Sequence, residues 1–293
     1  MEILFQYILR NREHITEYHL YLATTNQEDV DYIHQFHKEN EDFVKVISLD
    51  SYENFNKAEV WNLSYKNCLD EDTIYLKIDD DVVFIDDNLF SDFIEFRKKS
   101  TSPVVFPHII NNIISTPLLE KNSRINTGMM SGDFVVNTWS ETITRIKPQI
   151  EKLRGNFPSR DFVVTSLLTQ DEILCPIAWG SLEYSKRAHL IFLDLVRSGR
   201  ISNIYTDNII LDEFHPISIQ CCSWFGRDLK RYTSEFGEVG NEDEPWISVY
   251  LPVWAKEPNT IYGGSIVSHF SSYNQDQFLL ENGILDSYKR LLY

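Results

Sequence analysis

Three consecutive carboxylates, Asp79, Asp80 and Asp81, close an alternating run in which Ile74, Leu76 and Ile78 are interleaved with Tyr75 and Lys77. Adjacent carboxylates repel one another and resist burial unless a cation or hydrogen-bond donors compensate. A strand that ends in them is therefore chemistry for a divalent metal. A second apolar run, Val82 to Ile85, follows at once, and Asp86 and Asp87 come directly after it. Acids are ordinary in solvated turns, but five carboxylates in nine residues, set between two buried-type segments, exceed what a turn requires.

Two later stretches carry further reactive side chains. Glu242-Asp243-Glu244 precedes Pro245 and Trp246, and carboxylates at the first turn of a helix suit its dipole and its capping. The same acids can serve as a general base that removes the proton of an attacking hydroxyl. Trp246 has two readings as well: a ring stacked on a sugar face, or a core residue. His269 ends the run Gly263 to Phe270, where it is either a packed histidine or a metal ligand.

The whole chain bounds these readings. Its 293 residues, 43% of them hydrophobic, are enough for one large α/β domain. A net charge of −17 argues against nucleic acid and anionic membrane as general partners, so a phosphate ligand would bring a metal with it. Cys68, Cys175, Cys221 and Cys222 lack metal-ligand spacing and read as reduced thiols. No run approaches the roughly 18 apolar residues of a membrane span, and Met1 is not followed by a signal-peptide pattern. The expected compartment is the cytoplasm, with peripheral membrane association where an acceptor is lipid-linked. Oligomeric state is not legible.

The elements that must position these residues follow from periodicity. Helices are predicted over 2–12, 27–38, 57–69, 90–99, 136–153, 187–197 and 275–292, with another beginning at Gly226 and running to about Gly237. Strands are predicted over 18–24, 43–47, 103–110 and the acidic run, and strand-like segments over 201–205, 209–211 and 216–224. Residues 116–134 read as loop. Strand, helix, strand, helix and then the acidic strand predict a parallel sheet with covering helices, whose ligands bind at the carboxyl ends of the strands.

The string Tyr-Leu-Lys-Ile-Asp-Asp-Asp-Val-Val-Phe-Ile, residues 75–85, resembles the Asp-x-Asp motif of GT-A glycosyltransferases. The chain is also similar to a loosely characterised group of glycosyltransferase-like proteins with an Asp triple, a late Asp-Glu cluster and a terminal His-Phe-Ser with a Gln nearby, here Gln275. The resemblance implies a single GT-A (Rossmann-like) α/β domain over 1–293, a mixed sheet flanked by helices. Its nucleotide-sugar half would be 1–110 and its acceptor half 111–293. It implies Mn²⁺ or Mg²⁺ held by Asp79, Asp81 and His269, with Asp80 orienting the ribose or donor sugar. Asp243 would be the base, Glu244 its competitor, and Glu242 and Trp246 substrate contacts. The implied activity moves a sugar, with inversion, from a nucleotide diphosphate sugar to a glycan or lipid-linked glycan. A retaining enzyme and a non-catalytic carbohydrate-binding protein of the same fold are the alternatives. The usual first strand and its base-holding loop are not visible before the helix at 2–12. The expectation is that Met1 lies inside a longer natural protein, the alternative being that the base is held by another segment.

Overall fold

Alternation of side chains along Ile74–Ile78 (β3), unbroken apolarity along Val82–Ile85 (β4) and apolarity interrupted only by His108 along Val105–Ile110 (β5) make these segments strands of different depth. β4 and β5 are buried along their whole length, whereas β3 is half-buried throughout. The computed structural model describes residues 1–24, 26–48, 64–112, 114–129, 181–211, 217–232, 243–272 and 275–293. Among these residues the protein is a mixed α/β structure with a two-stranded and a six-stranded sheet.

The small sheet pairs Tyr18–Leu22 (β1) with Val44–Ser48 (β2) in parallel across the helix Gln27–Glu39. That helix starts where the Asn26 side chain accepts the Glu28 amide. The large sheet has the order β3-β7-β5-β8-β4, where β7 is Cys221–Phe225 and β8 is Thr260–His269. The short strand Ile209–Ile210 (β6) pairs with β8 off this path. β7 is antiparallel to both β3 and β5, and β5 is parallel to β8. Hence β3, β5 and β8 run the same way and end on one edge. The predicted parallel pairing holds for β1 and β2 and is corrected for β3, which belongs to the other sheet and takes an antiparallel partner from more than 140 positions later.

Helices cover this sheet. Glu2–Arg10 lies against β4, with Tyr7 meeting Phe84 edge-on at 5.9 Å, and Leu182–Arg197 brings Phe192 to the same Phe84 at 5.1 Å. Asp92–Lys99 packs on β8, and its last turn buries Arg97, which donates to the carbonyls of Ser100 and Ser102.

Several boundaries differ from the periodicity reading for local reasons. Ser115–Asn122 is a helix within the stretch read as loop: the Asn112 side chain accepts the amides of Ile114 and Ser115, and Pro117 sits in the first turn, where a missing N–H costs nothing. Ile201–Ile204 is a 3₁₀ turn that buries Ile204. The final helix is two, Asp276–Glu281 and Ile284–Lys289, divided at Gly283 with φ 68°. Residues 217–220 precede β7 without joining it. The predicted helix at 136–153, most of that at 57–69 and the end of that near Gly237 lie outside the described residues. No described helix is long and apolar enough to cross a membrane.

Candidate metal centre

Asp79–Asp81 joins β3 at one end of the sheet order to β4 at the other. The acidic segment therefore crosses the sheet edge on which β3, β5 and β8 end. Backbone hydrogen bonds fasten it there: the Asp79 amide donates to the Gln220 carbonyl at 2.9 Å, and the Phe270 amide donates to the Asp81 carbonyl at 3.0 Å. One bond anchors the segment beside β7, the other beside β8.

On that edge, ligand atoms of Asp79, Asp81 and His269 lie within 4.8 Å of one another. Among the described residues this is the one such group of His, Cys, Asp or Glu side chains. His269 closes β8 opposite Val82, the first residue of β4, and its Nε2 is 2.9 Å from Asp81 Oδ2. Burial works against a charge on this ring, but the Asp81 carboxylate outweighs it and the imidazole pKa is raised. Nδ1 is buried with no hydrogen-bond partner among the described residues, so Nε2 is the ring atom that faces the carboxylates. Two carboxylates and an imidazole, half-buried or buried, are a donor set that could hold a divalent metal ion.

Asp80 is not in this group. Its carboxyl is exposed, and its pKa is raised by partial desolvation and by the neighbouring charge of Asp81. Asp86 is employed elsewhere: it caps a 3₁₀ turn, accepting from the Asn88 amide and from the Tyr205 hydroxyl at 2.7 Å, beyond the far end of β4. The acids at 86 and 87 therefore do not add to the cluster.

The late acids do approach it. Asp243 accepts a hydrogen bond from the Tyr65 hydroxyl at 3.0 Å, and Asp243 and Asp79 both act on the charge of Lys77. The Lys77 ammonium is bonded to the Asp79 carboxylate and donates to the Ile219 carbonyl at 2.9 Å. Burial opposes that ammonium, yet Asp79 and the nearby acids hold its pKa above the ordinary lysine value. Glu244 is half-buried, and desolvation followed by the Asp243 charge pushes its pKa up to about 7, against the help of Lys77 and Ser218. Asp243–Pro245 is the opening turn of a helix that passes through a π-helical turn, Trp246–Tyr250, into Leu251–Ala255. Such turns are rare and are frequent near functional sites.

The chain matches no known protein family, no curated protein and no solved structure.

Trp246 is a correction. It is 3% exposed and meets Trp254 edge-on at 6.0 Å, so its ring faces belong to the core and are not offered to a sugar. A large apolar ring at the start of a buried helix gains more from that packing than from half-exposure. Glu242 lies outside the described residues. Cys68, Cys221 and Cys222 are buried free thiols. The sequence reading missed Lys77, Tyr65 and Ser218. The first occupies a polar position of the alternating β3 strand, which reads as solvent-facing; the other two reach the site only through tertiary packing.

The displaced pKa of Glu244 has a consequence independent of activity. Between the ordinary glutamate range and about 7, the folded chain holds a proton that the unfolded chain has released. Stability must fall as pH rises through that window, and the full penalty is present above it. Glu244→Gln removes the penalty. The expected result is a variant more stable than the wild type by about 2 kcal/mol at pH 8, with solvent screening of a half-buried group allowed for, and equal to it at pH 4. Urea melts at the two pH values measure this, and a difference independent of pH would refute the assignment.

Proposed function

We propose that this protein is a metal-dependent glycosyltransferase of the GT-A type that transfers a sugar with inversion from a nucleotide diphosphate sugar to a glycan or lipid-linked glycan hydroxyl. One observation carries the reading. Asp79 and Asp81, from the turn after β3, meet His269, from the end of β8, on the strand-end edge where open α/β sheets bind ligands. A solvated acidic turn would have no reason to face a buried histidine delivered from 190 residues later in the chain.

In this reading Asp79, Asp81 and His269 hold the cation. When bound, it supplies positive charge to the two phosphates of the departing nucleoside diphosphate. Asp80, exposed beside the cluster, is free to contact the ribose or the donor sugar. Lys77 fixes Asp79 and limits the repulsion among the acids. Asp243 takes the proton of the acceptor hydroxyl, with its carboxylate oriented by the Tyr65 hydroxyl. Glu244, with a pKa of about 7, is the second candidate for that step.

The test is a thermal-shift screen of nucleotide sugars with and without Mn²⁺, followed by measurement of donor hydrolysis. The expected result is stabilisation by one class of donor only when Mn²⁺ is present, and release of the nucleoside diphosphate. Donor binding without release or transfer would leave a carbohydrate-binding protein, and no donor binding in Mn²⁺ would end the proposal.

A further inference from the structure

Behind the edge that bears His269, a row of buried hydrogen bonds joins the two residues on either side of it. Ser268 Oγ is 2.8 Å from the Tyr288 hydroxyl, Tyr288 is 2.8 Å from His189 Nδ1, and His189 Nε2 is 2.8 Å from the Phe270 carbonyl. His189, Ser268 and Tyr288 are fully buried. They come from three elements: the helix Leu182–Arg197, strand β8 and the helix Ile284–Lys289.

The direction of the protons in this row follows from its carbonyl end and from which hydroxyl lies nearer His189 Nδ1. A carbonyl oxygen only accepts, so His189 donates from Nε2 to Phe270. Burial lowers the His189 pKa to about 4, so the ring is neutral and Nδ1 accepts from the Tyr288 hydroxyl. Ser268 Oγ also lies 3.4 Å from Nδ1, but the Tyr288 hydroxyl at 2.8 Å is the nearer donor to that one lone pair, so Tyr288 spends its proton there and accepts from Ser268. The Phe270 carbonyl takes a second donor at 3.0 Å, the Asn111 side chain amide, from a residue held at φ 60°. The Asn111 amide also reaches Gln275 Oε1 at 3.1 Å, and Gln275 accepts the Ser272 amide.

Such a network is more than packing requires. Three polar side chains inside an apolar layer give no more stability than well-fitted apolar ones of the same shape. What they add is a fixed position for the backbone at 268 and 270, and hence for the imidazole between them. The fastening is polar and directional, which apolar contacts are not.

We propose that His189 and Tyr288 are positioning residues for His269, fixing through Ser268 and the Phe270 carbonyl the place from which its imidazole meets Asp81 and a divalent cation. The inference rests on the metal-site reading above and deepens it. Outer partners of metal-ligating histidines change metal affinity by about 10- to 100-fold when removed. Here the action passes through the backbone, so the lower end applies.

The experiment measures binding of Mn²⁺ alone to the full chain, from the loss of the free-ion paramagnetic resonance signal, at a temperature where each variant is folded by circular dichroism. Tyr288→Phe keeps the ring and removes the hydroxyl; Ser268→Ala is the milder variant should the first fail to fold. Both are expected to weaken Mn²⁺ binding about tenfold. His189→Gln, which keeps a donor for the Phe270 carbonyl, should restore part of the affinity lost in His189→Leu. In a His269→Ala background, Tyr288→Phe should change the residual affinity by less than about twofold, because its route to the metal is gone. A merely structural role would lower the melting temperature equally in both backgrounds and leave Mn²⁺ affinity unmoved. If the wild type binds Mn²⁺ and His269→Ala weakens it, but Tyr288→Phe and Ser268→Ala bind normally, the positioning role is wrong and the metal reading stands. If the wild type binds no Mn²⁺, both fall.

Discussion

Asp81→Asn is expected to weaken Mn²⁺ binding by more than about 100-fold, beyond what loss of an outer partner costs, and to lower sugar transfer by at least about 10³-fold. The second figure follows from the several kcal/mol that a bound cation contributes to charge stabilisation, at about 1.4 kcal/mol per tenfold in rate. The substitution is close to isosteric, and the new carboxamide retains an oxygen for the His269 ring that Asp81 meets at 2.9 Å. It also removes one of three adjacent negative charges, a charge that already raises the pKa of Asp80. At a pH where the His269 ring is neutral, and so draws no stability from the Asp81 charge, the metal-free variant should therefore melt no lower than the wild type. Loss of metal affinity with stability kept or raised cannot arise from unfolding. Calorimetric Mn²⁺ titration, thermal melts and donor turnover on the same preparations decide it: an unchanged Mn²⁺ affinity in Asp81→Asn would remove the proposed centre altogether.

The parts of this site that were legible in the sequence are those whose signals are local. Alternation into three acids located the end of β3, and the apolar run into His269 located the end of β8. The acids before Pro245 marked a helix start, which Asp243–Pro245 is. The Asn282-Gly283 pair was also legible as a helix stop, and reading through it merged two helices into one. What periodicity does not encode is strand partnership. The placement of β7 between β3 and β5, which carries Gln220 to the Asp79 amide, is set by pairing across more than 100 residues.

Polar side chains that serve the interior were misplaced for a related reason. Lys77 sits at a position that alternation assigns to solvent, and only the arrival of Ile219 and the late acids turns it inward. Trp246 carries the opposite lesson: a residue type suited to sugars was used for packing. Asn112 begins a helix through its side chain, a signal that depends on one rotamer and is invisible to a hydrophobic pattern. The meeting of Asp79 and Asp81 with His269 was thus anticipated by chemistry, and the cation already present beside them, Lys77, was not.

That cation makes the sharpest prediction after Asp81. Lys77→Met should destabilise the metal-free protein by about 2 kcal/mol, below the full cost of breaking a buried pair because Asp79 is part-exposed. The Lys77 pKa is raised in the folded chain, so its contribution is complete below the ordinary lysine range and is lost only as pH rises through the higher folded value. The deficit should accordingly be constant between pH 7 and 9 as far as Lys77 is concerned. Without the ammonium, Asp79 and Asp243 lose a neutralising charge and Glu244 loses a group that lowers its pKa. A divalent cation at Asp79, Asp81 and His269 replaces that charge, so Mn²⁺ should raise the melting temperature of Lys77→Met by more than it raises that of the wild type. Melts of both proteins across an Mn²⁺ series measure the difference. Equal shifts would mean that Lys77 and the cation do not share Asp79, and that the lysine braces the acidic turn without taking part in the charge balance of the site.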